Sequence, residues 1–406
     1  MRSRRLRACG RILRGARHGR RGMALLMVMV TIAMLTAVVV EFIYQTRVDV
    51  QMAANVRDRV KAYYLARSAV NFTRLVLYFQ GQVDRMTGGT VKLYQLIPIE
   101  SDLAKAFTSG ELGGAFGLED SNLGEERGFG EFDGGFSAQI EDEYAKINVN
   151  ALDSLPSIVA PTAAQVLALI GAPRYREFWE REDAQGQYNT PPDVVAAMHD
   201  WIDADNVIDG FQPEVLAVDP FSQPEVFVPG SSSEDAHYDM LDSPYQAKNN
   251  PFLTVDELHL VRGVGDDFME EFGDKFTVYS DPNLLLNLNS VNDPVTMLSV
   301  LCLQPENAAL CTEQGLPQLL EVLALFFEFR NIMQWTTFTV PNNQAIQGFF
   351  SSMGPTFNPY FMKNLAPFSD TFSVKAQGRV GEVVVTIETV LKNTGSGQEI
   401  MYWRVM

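Results

Sequence analysis

The pattern of apolar and polar positions divides the chain into four stretches. Met23 to Val40 reads MALLMVMVTIAMLTAVVV, eighteen residues with no charge and only Thr31 and Thr36 polar. At about 1.5 Å per residue this is near the shortest helix that crosses a hydrocarbon core of roughly 30 Å. From Glu41 to Gln80 there is neither Pro nor Gly, and Phe42, Val48, Met52, Val56, Val60, Tyr63, Tyr64, Ala69, Phe72, Val76 and Leu77 recur at helical spacings between charged residues. This predicts one helix from Met23 to about Phe79, roughly 57 residues and about 85 Å long, apolar all round in its first third and amphipathic thereafter.

Residues 81 to 136 are rich in Gly and acids and read as turns around short strands. Phe136 to Asn150 alternates apolar and polar positions as a half-buried strand does. Helical patterns follow. Pro161-Thr162 opens one up to Leu169, and Pro191-Pro192-Asp193 opens the next, VVAAMHDWID. Val255–Val261 and Asp266–Phe272 flank a Gly-Val-Gly turn, and Val295–Cys302 and Leu316–Met333 add two more helices. Phe372–Val380, Glu382–Leu391 and Glu399–Val405 read as three closing strands. Strands, then helices, then strands predict an α+β fold: an antiparallel sheet interrupted by a large helical insertion with helix-hairpin-helix-like units. The boundaries implied are 1–22 for a basic leader, 23–80 for the N-terminal helix with 23–40 transmembrane, 81–150 for the first part of the sheet domain, 151–366 for the insertion and 367–406 for the closing strands.

Charge adds a direction to this plan. The 406 residues carry a formal charge of −18, but residues 1–22 contain nine arginines and no acid, so the remainder carries −27. So acidic a body repels phosphate backbones, which excludes nucleic acid as its partner. Basic residues lie only before the apolar run, so the positive-inside rule puts the N-terminus in the cytoplasm and everything after Glu41 across the membrane. A cleaved secretory signal is the competing reading, yet no A-x-A site stands between Val38 and Gln51.

A basic leader ending in Gly22, an apolar Met23, the apolar run and the long helix behind it resemble the type IV pilin and type II secretion pseudopilin superfamily. The resemblance implies cleavage between Gly22 and Met23 by a prepilin peptidase, with methylation of the new N-terminus. Most members carry Glu at the fifth mature position, where this chain has Met27. That carboxylate neutralises the N-terminal ammonium of a neighbouring subunit inside an apolar bundle, and a subunit that never docks beneath another does not need it. The departure, together with Ile140–Asn150 (IEDEYAKINVN), Asp200–Gly210 (DWIDADNVIDG), Phe252–Gly265 (FLTVDELHLVRGVG) and Leu284–Asn292 (LLLNLNSVN), is similar to the protein K family of large minor pseudopilins. The resemblance covers most of the chain from Arg20 onward. It implies a pilin-like sheet with a helical insertion and partners among the I and J types of minor pseudopilin. It also implies contact with the inner-membrane platform of the secretion machine and a place at the pseudopilus tip, where the chain would support protein secretion across the outer membrane. A type IV pilus minor pilin is the nearest alternative, and a membrane-anchored periplasmic hydrolase one of a different class.

Candidate chemistry concentrates in the acidic loop Asp203, Asp205, Val207, Asp209, Glu214. Carboxylates at alternate positions, a backbone carbonyl near Val207 and a downstream carboxylate suit a hard cation with six to eight oxygen ligands. It is no EF-hand, since Gly210 falls eighth in the loop and no Glu closes it at the twelfth place. Asp200, Asp239 and Asp242 could complete this site or form a second one. A solvated acidic turn is the plainer reading; members of the resembling family bind calcium in their insertion, which favours the site. The helix, Gly-Val-Gly, helix unit resembles phosphate-binding turns, but Asp266, Asp267, Glu270 and Glu271 stand where phosphate would sit, so the unit serves packing.

Cys9 falls in the leader and leaves Cys302 and Cys311 as an even pair. An oxidising periplasm favours a disulfide between them; two buried thiols are the alternative. Of the four histidines, His18 is in the leader, and His199 and His259 sit in amphipathic patterns. His237 with Asp235 and Asp239 would make a zinc site only weakly. No nucleophile, zinc-protease or phosphate-loop motif is present, so a non-enzymatic role is expected.

Overall fold

The computed structural model describes residues 19–101, 133–182, 186–216, 221–241, 243–394 and 397–406. Residues 1–18 with Cys9, most of the Gly-rich stretch and Asp242 lie outside the described residues.

The chain divides into two compact units, before and after the Val60/Lys61 boundary. The first is helical, and its apolar side chains from Met23 to Val60 are exposed apart from the half-buried Val48 and Ala54, Leu25, Leu35 and Phe42 each by more than 60%. These residues belong to α1, Gly19–Thr87. The helix is one turn or two longer than the sequence pattern suggests because Gly81 does not stop it. It ends instead where Gly88 (φ +66°) and Gly89 (φ +79°) take the left-handed conformation.

The second unit holds a five-stranded sheet in the order β1 (Ile99–Glu100), β2 (Gly135–Asp142), β3 (Thr371–Val380), β4 (Val383–Thr394), β5 (Gly397–Val405), antiparallel throughout. The α1 residues from Lys61 lie on one face. Ala62, Ala66, Ala69 and Leu77 are fully buried there against Phe372, Ala376, Ile387 and Leu391. Helix and sheet meet at Gly378, where a Cβ would stand 2.0 Å from the Ala62 carbonyl, so only glycine permits this approach. Asn393 and Gln398 donate to the Leu77 and Arg74 carbonyls, each at 2.9 Å.

Between β2 and β3 lies the insertion, with its own core around α2 (Pro156–Ile170). The structure is therefore α+β, a long N-terminal helix and an antiparallel sheet interrupted by helices, as the resemblance implies. Two details differ from the sequence reading. The strand expected to run to Asn150 stops at Asp142, whose carboxylate accepts from the Tyr144 N–H (2.9 Å) and starts a 3₁₀ turn; Ile147–Asn148 then pairs with Phe276–Thr277 instead. Helix α2 starts at Pro156 rather than Pro161. Pro161 has no N–H to offer Ser157, and Asn364 donates its side-chain amide to that carbonyl at 3.3 Å, which lets the helix continue.

Helix α3 (Pro191–Asp200) begins with a capping box between Thr190 and Asp193. The glycine turn joins a 3₁₀ segment, Val255–Leu260, to α4 (Asp266–Phe272), whose Phe268 and Phe272 are buried in the insertion core. Helices α5 (Pro294–Cys302), α6 (Leu316–Thr337) and α7 (Asn343–Met353) complete it, the last without a signal noticed in the sequence. Cys302 and Cys311 are joined as a disulfide with Cα atoms 5.7 Å apart.

Candidate metal centre

Helix α3 delivers the first residues of the site. His199 and Asp203 are one turn apart, and Asp200 lies at the last helical position. The chain then turns tightly. The Asp205 carboxylate accepts from the Val207 N–H (2.8 Å), and Asp200 accepts from the Asp209 N–H (2.9 Å), folding the acidic loop back onto the helix end. The loop is held there by a short antiparallel ribbon, Asp209–Phe211 with Phe227–Pro229. The Ile208 N–H also donates to the Ser232 carbonyl (2.9 Å), which brings in the following segment and Glu234.

Two overlapping groups result. His199, Asp200, Asp203 and Asp209 can each offer one ligand atom within 4.8 Å of the others, and so can Asp203, Asp205 and Glu234. His199 Nδ1 is 3.1 Å from an Asp209 oxygen and 3.5 Å from an Asp203 oxygen, with hydrogen-bond geometry to neither, and its ring stacks on Phe227 at 3.8 Å. Asp203 and Glu234 are 8% and 3% exposed, yet Asp203 Oδ1 and both Glu234 carboxylate oxygens have no hydrogen-bond partner. Buried carboxylate oxygens are rarely left so, because each forfeits its hydration without replacement. A cavity of about 100 Å³ adjoins them, lined by Asp193, Asp200, Asp209, Glu234, His237 and Arg262.

The electrostatics follow from this crowding. Burial, then the neighbouring acids, push Asp200 and Asp203 up to about 7 and Glu234 up to about 8; Asp209 is raised for the same reasons. Burial lowers His199 to about 4, so its imidazole is neutral and supplies no compensating charge. Arg262 is the one cation lining the cavity among the described residues; its Nε donates to Asn189 at 3.4 Å, and it forms no ion pair with the cluster. The carboxylates can be relieved in two ways, by keeping protons or by sharing a cation. Five carboxylates crowded together, two of them with buried oxygens that have no partner, fit a hard divalent ion such as calcium, which takes six to eight oxygens. Asp200, Asp203, Asp205, Asp209 and Glu234 would hold it, with His199 beside them.

Of the residues singled out in the sequence, Asp203, Asp205, Asp209 and Asp200 are brought together, and Val207 forms the turn between them. Glu214 is exposed in the single turn Pro213–Leu216, and Asp239 is exposed after Asp235–Tyr238; both stand outside the two groups. Two members were missed. His199 was legible as one helical turn before Asp203. Glu234 carries no local signal, since only the ribbon and the Ser232 contact bring it back. Gly22 and Met23 lie within α1, and the stretch of that helix beginning at Met23 is long and apolar enough to cross a membrane, which fits a single-pass anchor.

The fold and site thus define an α+β chain with an apolar N-terminal helix and an acid cluster suited to a cation in a helical insertion. No protein-family model matches the sequence, and no curated protein matches it. Among solved structures the chain is similar to the GspK-GspI-GspJ complex from the enterotoxigenic Escherichia coli Type 2 Secretion System, at a TM-score of 0.43 and 14% identity, covering 77% of this chain and 96% of that one.

Proposed function

We propose that the chain is a non-enzymatic minor pseudopilin of the protein K type, anchored in the bacterial inner membrane and placed at the tip of a type II secretion pseudopilus. The observation that carries this reading is the single helix Gly19–Thr87. Its apolar side chains are exposed before Lys61, while its small residues pack under the sheet after it. A helix with an apolar face on nothing needs lipid first and neighbouring helices later. The arginine-rich leader, Gly22 followed by Met23 and the missing carboxylate at Met27 support processing by prepilin peptidase and a terminal position.

On this reading the N-terminus is cytoplasmic and the body periplasmic. The I and J types of minor pseudopilin and the inner-membrane platform are the partners, and calcium in the acid cluster holds the insertion together. The deciding experiment is the N-terminal residue of the mature protein. A methylated Met23, lost in Gly22→Ala together with secretion, is the expected result. An intact leader with normal secretion in a deletion strain overturns the reading, and loss of piliation instead of secretion assigns the chain to a pilus.

A further inference from the structure

The two edges of the sheet are built differently. Strand β1 closes one edge with two residues. Strand β5 leaves nine residues, GQEIMYWRV, along the other, against a usual strand of about five or six. Natural edges are shielded by shortness, proline, inward lysine or a covering element. Here there is no Pro and no Lys, and one bulge at Met401 is the sole irregularity. Ile400 (46% exposed), Met401, Trp403 (37%) and Val405 (45%) stand open.

The direction of the backbone groups can be read off the ladder. Met406 exchanges both bonds with Thr386, at 2.9 and 3.0 Å. Antiparallel alternation then turns Arg404 and Tyr402 toward β4, and turns the N–H and C=O of Trp403 and Val405 outward. A row of amides and carbonyls unpaired among the described residues, between apolar side chains, is complementary to one thing, the backbone of another extended strand.

We propose that the open edge of β5 is the docking site for an extended strand of a neighbouring subunit of the fibre, added as a sixth strand. The proposal rests on the reading above for the identity of that subunit. The incoming strand bonds to the Trp403 and Val405 backbone and sets apolar side chains against Ile400, Trp403 and Val405. It carries a basic residue opposite Glu399 and an acidic one opposite Arg404. A second copy of β5 would satisfy the same pattern: Ile400 opposite Trp403, Gln398 opposite Val405, Glu399 opposite Arg404. The bulge puts Ile400 on the face of Leu391 and Tyr402 on that of Val390, so these pairs share faces. A two-fold pair of that kind, however, runs the Lys61–Thr87 segments of the two copies in opposite directions, whereas subunits anchored in one membrane need them to run alike. The occupant is therefore a different chain.

The self-match supplies a probe. Fluorescently labelled peptide 397–406 is titrated into the full-length protein in detergent. Saturable binding is expected. Because each backbone bond to the edge contributes about 1 kcal/mol, N-methylation of the peptide at its Trp403 and Val405 positions should weaken binding at least about tenfold, and methylation at Tyr402 and Arg404 should not. No saturable binding, or equal loss with both methylation patterns, overturns the docking edge. In the second arm the protein is combined with the I-type and J-type minor pseudopilins, and amide exchange is followed at Trp403 and Val405. Slowing of both supports the proposal. A complex with unchanged exchange overturns it and leaves the functional reading standing. Peptide binding without a complex removes the fibre subunit as occupant and counts against the functional reading. Self-association of the protein that excess peptide dissolves assigns the edge to a second copy and overturns the proposal.

Discussion

Two clusters of buried acids in this chain are held by opposite means. At the start of the insertion, Asp142 receives the Tyr94 hydroxyl (3.2 Å), the Ser290 hydroxyl and the Tyr144 N–H (2.9 Å), with the buried Lys92 ammonium 3.9 Å away. Next to it Glu143 accepts from Thr277 and pairs with Lys146 at 3.1 Å. Every acid there has its donors or its cation inside the chain. In the second cluster Asp200, Asp203, Asp209 and Glu234 meet with a neutral histidine and, among the described residues, with no lysine and with Asp203 and Glu234 oxygens that have no partner. The first cluster has its partners when the chain folds, whereas the second keeps buried carboxylate oxygens without partners among the described residues. The first should therefore be indifferent to calcium, and the stability of the second should depend on it.

The comparison is most severely tested at Lys92. Lys92→Met leaves Asp142 buried without its counter-charge and should cost about 3 kcal/mol, read as a fall in the urea midpoint. Adding Asp142→Asn should restore at least half of that. If Lys92→Met unfolds no earlier than the parent, the first cluster is not held by charge. Calcium comes next: at free calcium about 100 times Kd the melting free energy should rise by about 2.7 kcal/mol, and chelator should remove the gain. A flat calorimetric titration with an unmoved melt would exclude the cation from the second cluster.

The sign of stability against pH separates the clusters further. Without calcium, folded Asp200, Asp203 and Glu234 keep protons up to about pH 7 to 8 that the unfolded chain releases near pH 4. Through these three carboxyls the folded state binds more protons across that window, so in chelator their contribution to stability should be largest below about pH 4 and fall as pH rises to about 8, offset in part by His199, which binds its proton more weakly when folded. Saturating calcium, which takes the deprotonated carboxylates, should flatten or reverse the slope. Asp203→Asn gives a smaller effect with a change of sign. In chelator it removes a charge that burial disfavours and should stabilise by about 1 kcal/mol; in calcium it should be less stable than the parent and bind calcium at least about tenfold more weakly. Smallest of all, Glu214→Gln should change neither calcium affinity nor stability beyond about 0.5 kcal/mol, because the exposed Glu214 stands outside both groups.

Much of the fold was legible because it rests on local pattern. The apolar run, the helix behind it, the Pro-led α3 and the three closing strands are periodicities of one segment at a time, and the structure contains each of them, with bounds within a few residues except at the end of the long helix, which runs on to Thr87. Four of the six residues of the acid cluster were legible for the same reason, since Asp200, Asp203, Asp205 and Asp209 are close in sequence. Misreadings fell where a distant partner decided. Asn364 rescues the carbonyl freed by Pro161, and Asp142 bends the chain out of the sheet in contact with Tyr94 and Ser290.

By itself the sequence determined that the chain carries an arginine-rich N-terminal stretch, an apolar run long enough to cross a membrane and an acidic α+β body, because composition and periodicity act within a few turns. Only the tertiary structure decided which acids are neutralised within the chain and which are not. That depends on side chains far apart along it: Lys92 reaching Asp142, Glu234 returning to Asp203, and no lysine among the described residues reaching the second group. It also decided that β5 is an open edge, since a strand's own residues do not say whether another lies beside it.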